Sequence, residues 1–300
     1  MTGSPRLREL QLESFIFATD FSECSQNAGI YAALLAKYFG AKLLVAHAFT
    51  LSQAAMDVEL EHSISSQQRK DLLRDLTEKC DALARASIDA VPVLLEGDPK
   101  DVLPALADKN APSIIVLGTH GGGWLEREVI GSVAEKILWS TCWPCLTVGP
   151  RVQPVRSTSL PFRRILYSTD FTGAAAHAAW YAVLFAKAVG AEMDVLHVVQ
   201  HGDADDPERL NNLRESFHKS LEENSFDGGA EILNPIAFVP VGNAHREILR
   251  HVRERSIDLL VLGIDKTSHL GLQLRASGAF QLIVDVECPV LTIAGRLKWI

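Results

Sequence analysis

The sequence predicts two tandem α/β domains, each built on a mainly parallel sheet of five strands. Three observations predict this fold: an internal repeat, short apolar segments that alternate with helical segments in each copy, and an ordinary globular composition. Hydrophobic residues make up 47% of the chain and charged residues 22%, which is typical of packed domains. A chain of 300 residues has room for about two such domains.

The internal repeat sets the domain organisation. Residues 17–22, FATDFS, recur as residues 167–172, YSTDFT, at an offset of 150, whereas Gly97 maps to Gly242 and Pro144 to Pro289 at an offset of 145. The first copy is therefore five residues longer between its second and third strands. We expect domain 1 at residues 1–150, a linker at 151–161 and domain 2 at 162–300.

Each element of the first copy follows from its local pattern. Residues 14–18 are short, apolar and followed by a polar break, which predicts a buried strand. Ser22 is a candidate N-cap and Gly40 a candidate C-cap of the first helix. Similar patterns predict strands at 43–49, 91–95, 113–117 and 145–148 and helices near 72–88, 99–109 and 132–140. Near-continuous apolar strands indicate a parallel sheet covered on both faces, and we expect the flavodoxin-like strand order 3-2-1-4-5.

Two polar segments meet at the predicted switch point of this sheet. Asp20 follows strand 1 and Gly118 follows strand 4, so both flank the crevice where open α/β sheets bind ligands. Glycines at 118 and 121 allow close backbone approach. Gly131 and Ser132 open a helix, whose free N–H groups favour an anion. The segment therefore resembles a phosphate cradle, although neither a Walker loop nor a Gly-x-Gly-x-x-Gly segment is present.

The spacing Gly118-x2-Gly121-x9-Gly131-Ser132 resembles the nucleotide motif of the universal stress protein family. The resemblance extends to residues 18–22, 96–99 and 143–146 and covers nearly the whole chain. It implies that the nucleoside pocket is lined by Ala18, Thr19, Asp20 and Ala48. It implies that ribose and phosphates are held by Gly118, His120, Gly121, Gly131, Ser132 and Val133. It also implies an internal pseudo-dimer, in which the closing strands at 145–148 and 290–293 pair across a pseudo-two-fold axis, and leaves a further homo-oligomer open.

The second copy departs from this motif. Lys266 stands at the position of the second glycine, and Ala276-Ser277 replaces Gly131-Ser132. The Cβ of Lys266 enters a position that needs close backbone approach, and Asp265 would repel phosphate. We expect weak ATP binding or none in this copy. Its helix starts at 277 or 278, and the sequence leaves both open.

The function expected from the resemblance is regulatory binding of ATP, with or without Mg²⁺, in the first copy. The alternatives are a slow ATPase that uses His120 and a divalent metal, and an interaction module without nucleotide. A net charge of −8 argues against partners such as nucleic acid or an anionic membrane. The polar residues 1–12 and the five scattered cysteines favour a cytoplasmic protein without a disulfide framework.

Overall fold

The structure is a computed structural model that describes residues 10–50, 58–120, 130–155, 159–200, 208, 211–212, 215, 235–264 and 278–294. Of residues 58–65, 173, 174 and 176 it describes the backbone alone. Several residues of the predicted loops, among them Gly121, Asp265, Lys266, Ala276 and Ser277, lie outside the described residues.

The first repeat alternates strands and helices along its whole length. Its strands are β1 (Ser14–Ala18), β2 (Lys42–Phe49), β3 (Ala90–Glu96), β4 (Ser113–Gly118) and β5 (Cys145–Val148). Its helices are α1 (Glu23–Phe39), α2 (Val58–Arg85), α3 (Pro99–Lys109) and α4 (Ser132–Ser140). Helix α2 begins well before the predicted residue 72. Its first turns are mostly polar, with Val58, Leu60 and Ile64 as the apolar residues among 58–71, and this pattern is too sparse to predict a helix.

The second repeat follows the same order. Its strands are β6 (Arg164–Ser168), β7 (Glu192–Leu196), β8 (Ile236–Phe238), β9 (Leu259–Ile264) and β10 (Val290–Ala294). Its helices are α5 (Gly173–Val189), α6 (Ala244–Glu254) and α7 (Gly278–Asp285). The described part of α7 begins at Gly278, and the residue before it lies outside the described part of the chain.

The ten described strands form one sheet in the order β3-β2-β1-β4-β5-β10-β9-β6-β7-β8. The predicted order 3-2-1-4-5 is confirmed in the first repeat. Pairing is parallel within each repeat and antiparallel between β5 and β10, where Leu146 lies opposite Leu291. The closing strands therefore join the repeats edge to edge, as expected of an internal pseudo-dimer.

The first helix of each repeat begins and ends in the same way. The hydroxyl of Ser22 accepts a hydrogen bond from the N–H of Ser25, and Gly40 ends α1 at a φ of 63°. In the second repeat Thr172 caps α5, and Gly190 ends it at a φ of 67°. Glycine adopts this left-handed conformation without the steric penalty of a side chain, so both helix ends follow from the sequence.

Two apolar layers cover the sheet, one on each face. One contains the buried residues of α1, α2 and α5, and the other those of α3, α4, α6 and α7. Each layer runs through both repeats. In the first layer Tyr31 stacks on Phe162, with ring centroids 5.9 Å apart, so the repeats share their core. Among the described helices, none combines the length and the hydropathy needed to cross a bilayer.

Two buried threonines fix the register of β5 against β10. The hydroxyl of Thr147 donates to the carbonyl oxygen of Val290 at 3.1 Å, and that of Thr292 donates to the carbonyl oxygen of Cys145 at 3.2 Å. A one-residue slip would turn both hydroxyls to the other face of the sheet. The two bonds therefore specify how the repeats join.

Replacing either threonine with valine is expected to lower the free energy of unfolding by about 1 kcal/mol, because a buried hydrogen bond is lost without a change in shape. Urea denaturation followed by circular dichroism measures this. The control is Thr77→Val, which removes an exposed hydroxyl bond to the Leu73 carbonyl oxygen and should have a smaller effect. Equal effects at Thr77 and Thr147 would contradict the register argument.

Candidate functional site

A cavity of about 360 Å³ opens at the carboxyl ends of β1, β2 and β4, between α3 and α4. It brings together nine of the ten residues that the sequence placed at the nucleotide site. These are Ala18, Thr19, Asp20, Ala48, Gly118, His120, Gly131, Ser132 and Val133. The tenth, Gly121, lies outside the described residues.

The loop after β1 is held by its own side chains. Asp20 Oδ1 accepts hydrogen bonds from the backbone N–H of Ser22 at 3.0 Å and from its hydroxyl at 2.5 Å. The backbone of Phe21 has a φ of 64°, which is unfavourable for a bulky residue and persists where the surroundings impose it. Asp20 Oδ2 makes no hydrogen bond with the described residues, and Asp20 lines the cavity.

The hydroxyl of Thr19 stabilises the loop after β1 through its own hydrogen bonds. Its Oγ1 accepts from the N–H of Phe21 at 3.1 Å and lies 3.1 Å from Ser25 Oγ. Because the Ser25 hydroxyl donates to the carbonyl oxygen of Ser22, Thr19 must donate to Ser25. Ser25 is buried and lines the cavity, and only its place in the first turn of α1 could have indicated it from the sequence.

Ala48 contributes its backbone. Along β2, the N–H of Lys42 donates to Glu13 and the carbonyl of Ala46 accepts from Thr19, so the even-numbered residues turn their peptide groups toward β1. Pairing of β1 with β2 ends at Ala18 and Ala46. Two residues further on, the N–H and C=O of Ala48 point into the space that β1 has left, where the cavity lies. They form an adjacent donor and acceptor.

Two glycines allow the close packing around the cavity. A Cβ at Gly118 would lie 2.9 Å from the Cys24 carbonyl carbon, and one at Gly131 would lie 2.7 Å from the Thr119 carbonyl oxygen. Neither contact leaves room for a side chain, because the neighbouring atoms are backbone. The requirement for glycine at these positions is therefore steric.

The start of α4 presents unpaired N–H groups. Gly131 is the N-cap, and no side chain within the described ranges caps the helix. Among the described residues, the N–H groups of Ser132 and Val133 have no acceptor, and both residues line the cavity. Helix N-termini of this kind carry a partial positive charge and bind anions.

His120 sits at the edge of the same cavity. Its Nδ1 lies 2.8 Å from Thr119 Oγ1, and its carbonyl oxygen lies 3.4 Å from Ser22 Oγ, whose single proton is donated to Asp20 Oδ1. The loop after β4 thus packs against the loop after β1, across the switch point of the sheet.

Part of the remaining wall of the cavity is apolar, and sequence reasoning did not assign these residues to the site. They include Ala46, Leu103, Leu117, Ala134 and Ile137. Each belongs to the apolar stripe of a helix or strand that also packs on the sheet. The apolar periodicity of the sequence identifies such residues as core residues. It cannot distinguish which of them also line a cavity.

The loop after β6 repeats the geometry of the first. Asp170 Oδ1 accepts from the N–H and the hydroxyl of Thr172, and His197 Nδ1 lies 2.9 Å from the carbonyl oxygen of Thr169. In the first repeat His47 Nδ1 lies 2.7 Å from the carbonyl oxygen of Thr19. Since a carbonyl only accepts, both rings carry their proton on Nδ1, and the histidines have a structural role in both copies.

The second repeat also contains a buried charged cluster that the first lacks. Asp194 is 1% exposed, and its Oδ2 accepts from His251 Nε2 at 2.9 Å and from Arg255 Nε at 3.0 Å. In the first repeat the positions of Asp194 and His251 are taken by Leu44 and Leu106. Burial alone would raise the pKa of Asp194, but the hydrogen bonds from His251 and Arg255 outweigh it and hold that pKa below its ordinary value.

A second cavity, of about 400 Å³, adjoins this cluster between β8 and α6. His251 and Arg255 line it together with Phe238. The ring of Phe238 lies 4.4 Å from that of His251 and 5.4 Å from the Arg255 guanidinium. The cations and carboxylates around this second cavity balance, since Glu247 and Arg250 pair with each other. The charge of the cavity therefore favours neither an anionic nor a cationic ligand.

Comparison with known proteins places the chain in a family. The sequence model of the universal stress protein family matches residues 12–149 and 161–294. A universal stress protein of Synechocystis is 26% identical over 94% of this chain and 99% of its own length. One from Methanocaldococcus jannaschii is 28% identical over 45% of this chain and 81% of its own length.

A solved structure shares the whole architecture. The universal stress protein from Archaeoglobus fulgidus superposes with a TM-score of 0.71, at 20% identity, over 95% of this chain and 99% of that one. This likeness establishes the fold. Together with the two matches of the family model, one to each repeat, it shows that the chain belongs to the universal stress protein family.

Proposed function

We propose that the protein binds ATP in the cavity of the first repeat and acts as a regulator rather than as a metabolic enzyme. One observation carries the proposal. A single cavity joins a backbone donor and acceptor at Ala48 to the uncapped start of α4. The peptide groups of Ala48 suit a purine base, and the start of α4 suits phosphate. The residues between them are those of the nucleotide motif.

The peptide groups of Ala48 favour adenine over guanine. Adenine presents an N6 donor beside the N1 acceptor, whereas guanine presents an O6 acceptor beside an N1 donor. The C=O of Ala48 can accept from N6 while its N–H donates to N1. With guanine, the C=O of Ala48 would face the O6 acceptor and its N–H would face the N1 donor. Polar groups that are buried without a hydrogen-bond partner oppose binding.

The phosphates fit the start of α4. The N–H groups of Ser132 and Val133 and the Ser132 hydroxyl can donate to phosphate oxygens, with the positive end of the helix dipole behind them. Because these groups are neutral, Mg²⁺ would offset the remaining phosphate charge. Val133 is 49% exposed, so an apolar side chain at the mouth of the cavity is available to a protein partner that reads nucleotide occupancy.

The proposed regulator acts in the cytoplasm. All five cysteines are free thiols, which fits a reducing compartment. The chemistry fits binding better than turnover, because the described residues contain no group of three or more His, Cys, Asp or Glu side chains that could hold a catalytic metal ion.

Isothermal titration calorimetry tests the proposal. We expect about one ATP per chain and a preference for ATP over GTP of at least about tenfold, roughly 1.4 kcal/mol. Two equivalent sites would contradict the assignment to the first repeat alone. Equal affinity for GTP would contradict the role given to Ala48.

Replacing Ser132 with alanine is expected to weaken ATP binding by on the order of 1 kcal/mol, because one hydroxyl donor to phosphate is lost. The matched control is Ser277→Ala in the second repeat, which we expect to leave ATP affinity unchanged. Calorimetry on both variants decides between the repeats. A loss with Ser277→Ala and none with Ser132→Ala would move the site to the second repeat.

A further inference from the structure

Helix α4 reaches from the nucleotide cavity to the second repeat. Ser132, Val133, Ala134 and Ile137 line the cavity. Near the other end of α4, the ring of Trp139 packs on Phe280 of α7, with centroids 5.4 Å apart. The helix has nine residues, a length of about 13 Å, and moves as a rigid rod over such a distance. A displacement at one end is therefore felt at the other.

The start of α4 is held tightly against the end of β4. The N–H of Gly131 donates to the Thr119 carbonyl oxygen at 2.7 Å, and that oxygen occupies the space that a Cβ at Gly131 would need. Thr119 also lines the cavity. A ligand that contacts this segment therefore affects the position of the whole of α4.

The far end of α4 carries a buried polar atom. The indole N–H of Trp139 is buried and has no hydrogen-bond partner within the part of the chain that the structure describes. An unpaired buried donor disfavours the observed position of the ring relative to one in which the N–H is paired. The Trp139–Phe280 contact therefore depends on ring packing, without a hydrogen bond from the indole to any described residue.

Helix α7 receives this contact and is itself tied to the end of the first repeat. The backbone at Gly149, just after β5, packs so closely on α7 that a Cβ there would lie 2.6 Å from the Ile283 carbonyl oxygen. Arg151 pairs with Asp285 at 2.9 Å. Both contacts place α7 at the junction of the repeats, next to the closing strands.

We propose that α4 couples nucleotide occupancy in the first repeat to α7 in the second, through the contact of Trp139 with Phe280. The second repeat then reads the ligand state of the first, whether or not it holds a ligand of its own. This inference rests on the proposed function, since it needs ATP in the first cavity. Coupling of this kind is reciprocal, so constraining α7 also alters ATP affinity.

Hydrogen exchange of the full chain, followed by mass spectrometry with and without saturating ATP, tests the coupling. Exchange in a peptide covering α7 should slow by at least about twofold when ATP binds, while a peptide from α5 on the other face of the sheet stays unchanged. Calorimetry on the same sample reports whether ATP is bound. If ATP binds and α7 exchange does not change, the coupling is wrong and the binding proposal stands. If no ATP binds, both fail.

Two variants remove the contact from either side, Trp139→Leu and Phe280→Leu. Neither residue lines the cavity, so ATP affinity should change only by the reciprocal coupling and stay within about threefold of the parent. The response of α7 should disappear in both. Trp143→Phe is the control, because it removes a buried indole that donates to Asp108 inside the first repeat, and it should keep the response. A response that survives in both leucine variants overturns the inference.

Discussion

Replacing Gly131 with alanine is expected to weaken ATP binding by at least about tenfold, roughly 1.4 kcal/mol. The new Cβ would lie 2.7 Å from the Thr119 carbonyl oxygen, a distance that neither backbone can tolerate. The start of α4 must therefore move away from the end of β4. Because Ser132 and Val133 move with it, the donors aimed at the phosphates lose their geometry. Calorimetry with ATP measures the loss.

Gly278 provides a matched control at the start of α7. A Cβ there would meet no described residue within 4 Å, so Gly278→Ala should leave both ATP affinity and the fold unchanged. Gly131 has a φ of −62°, so alanine introduces no backbone strain of its own and the effect is purely steric. If Gly131→Ala binds ATP like the parent, the close packing of α4 on β4 is not needed for binding.

The largest loss of stability is expected from Asp194→Ala. The change leaves His251 and Arg255 without the carboxylate that they share, and breaking a buried charge pair from one side costs about 3–5 kcal/mol. Because the Arg255 side chain is 34% exposed, water replaces part of the lost interaction and we expect the lower end of this range. Guanidinium denaturation gives the free energy of unfolding.

Acid should produce the same loss in the unaltered chain. The folded state lowers the pKa of Asp194, so this group stabilises the fold above its unfolded pKa, about 4, and loses the contribution as the pH falls through the lower, folded value. The free energy of unfolding should therefore drop more steeply below about pH 4 in the parent than in Asp194→Ala. Parallel pH profiles would contradict this assignment.

Two further variants separate charge burial from charge itself. Glu192 is 71% exposed and pairs with Arg164, and Glu192→Ala should cost less than about 1 kcal/mol, as surface pairs do. The double change Asp194→Leu and His251→Leu restores the residues found at Leu44 and Leu106. Apolar replacement of buried charges is often neutral or stabilising, so the double variant should be more stable than Asp194→Ala.

The fold followed from the sequence because its signals are local and recur twice. Apolar strands, the caps at Ser22 and Gly40 and the repeat itself each indicate the same architecture. The long start of α2 was missed, since a polar helix on the outside of a sheet carries no apolar stripe. Its helicity is set by continuity with the packed half near Leu76.

The sequence predicted those residues of the candidate site that belong to a motif. It did not predict the core residues whose side chains also line the cavity. Gly131 and Ser132 belong to a recognisable spacing, whereas Leu103 and Ile137 look like any other residue of a helix stripe. Asp194 was also missed. Its signal was available in the repeat, because a carboxylate aligned with Leu44 in an apolar strand indicates a buried charge with a partner.

The antiparallel junction of β5 and β10 has a consequence for how this chain can vary. Two identical subunits joined at such a junction would carry each substitution at both related positions. In this chain each repeat has its own sequence, so a substitution can occur in one repeat while the equivalent residue of the other repeat stays the same. Leu44 and Asp194 occupy equivalent places beside β1 and β6, and no symmetric assembly could hold both. Joining the halves has freed each to specialise.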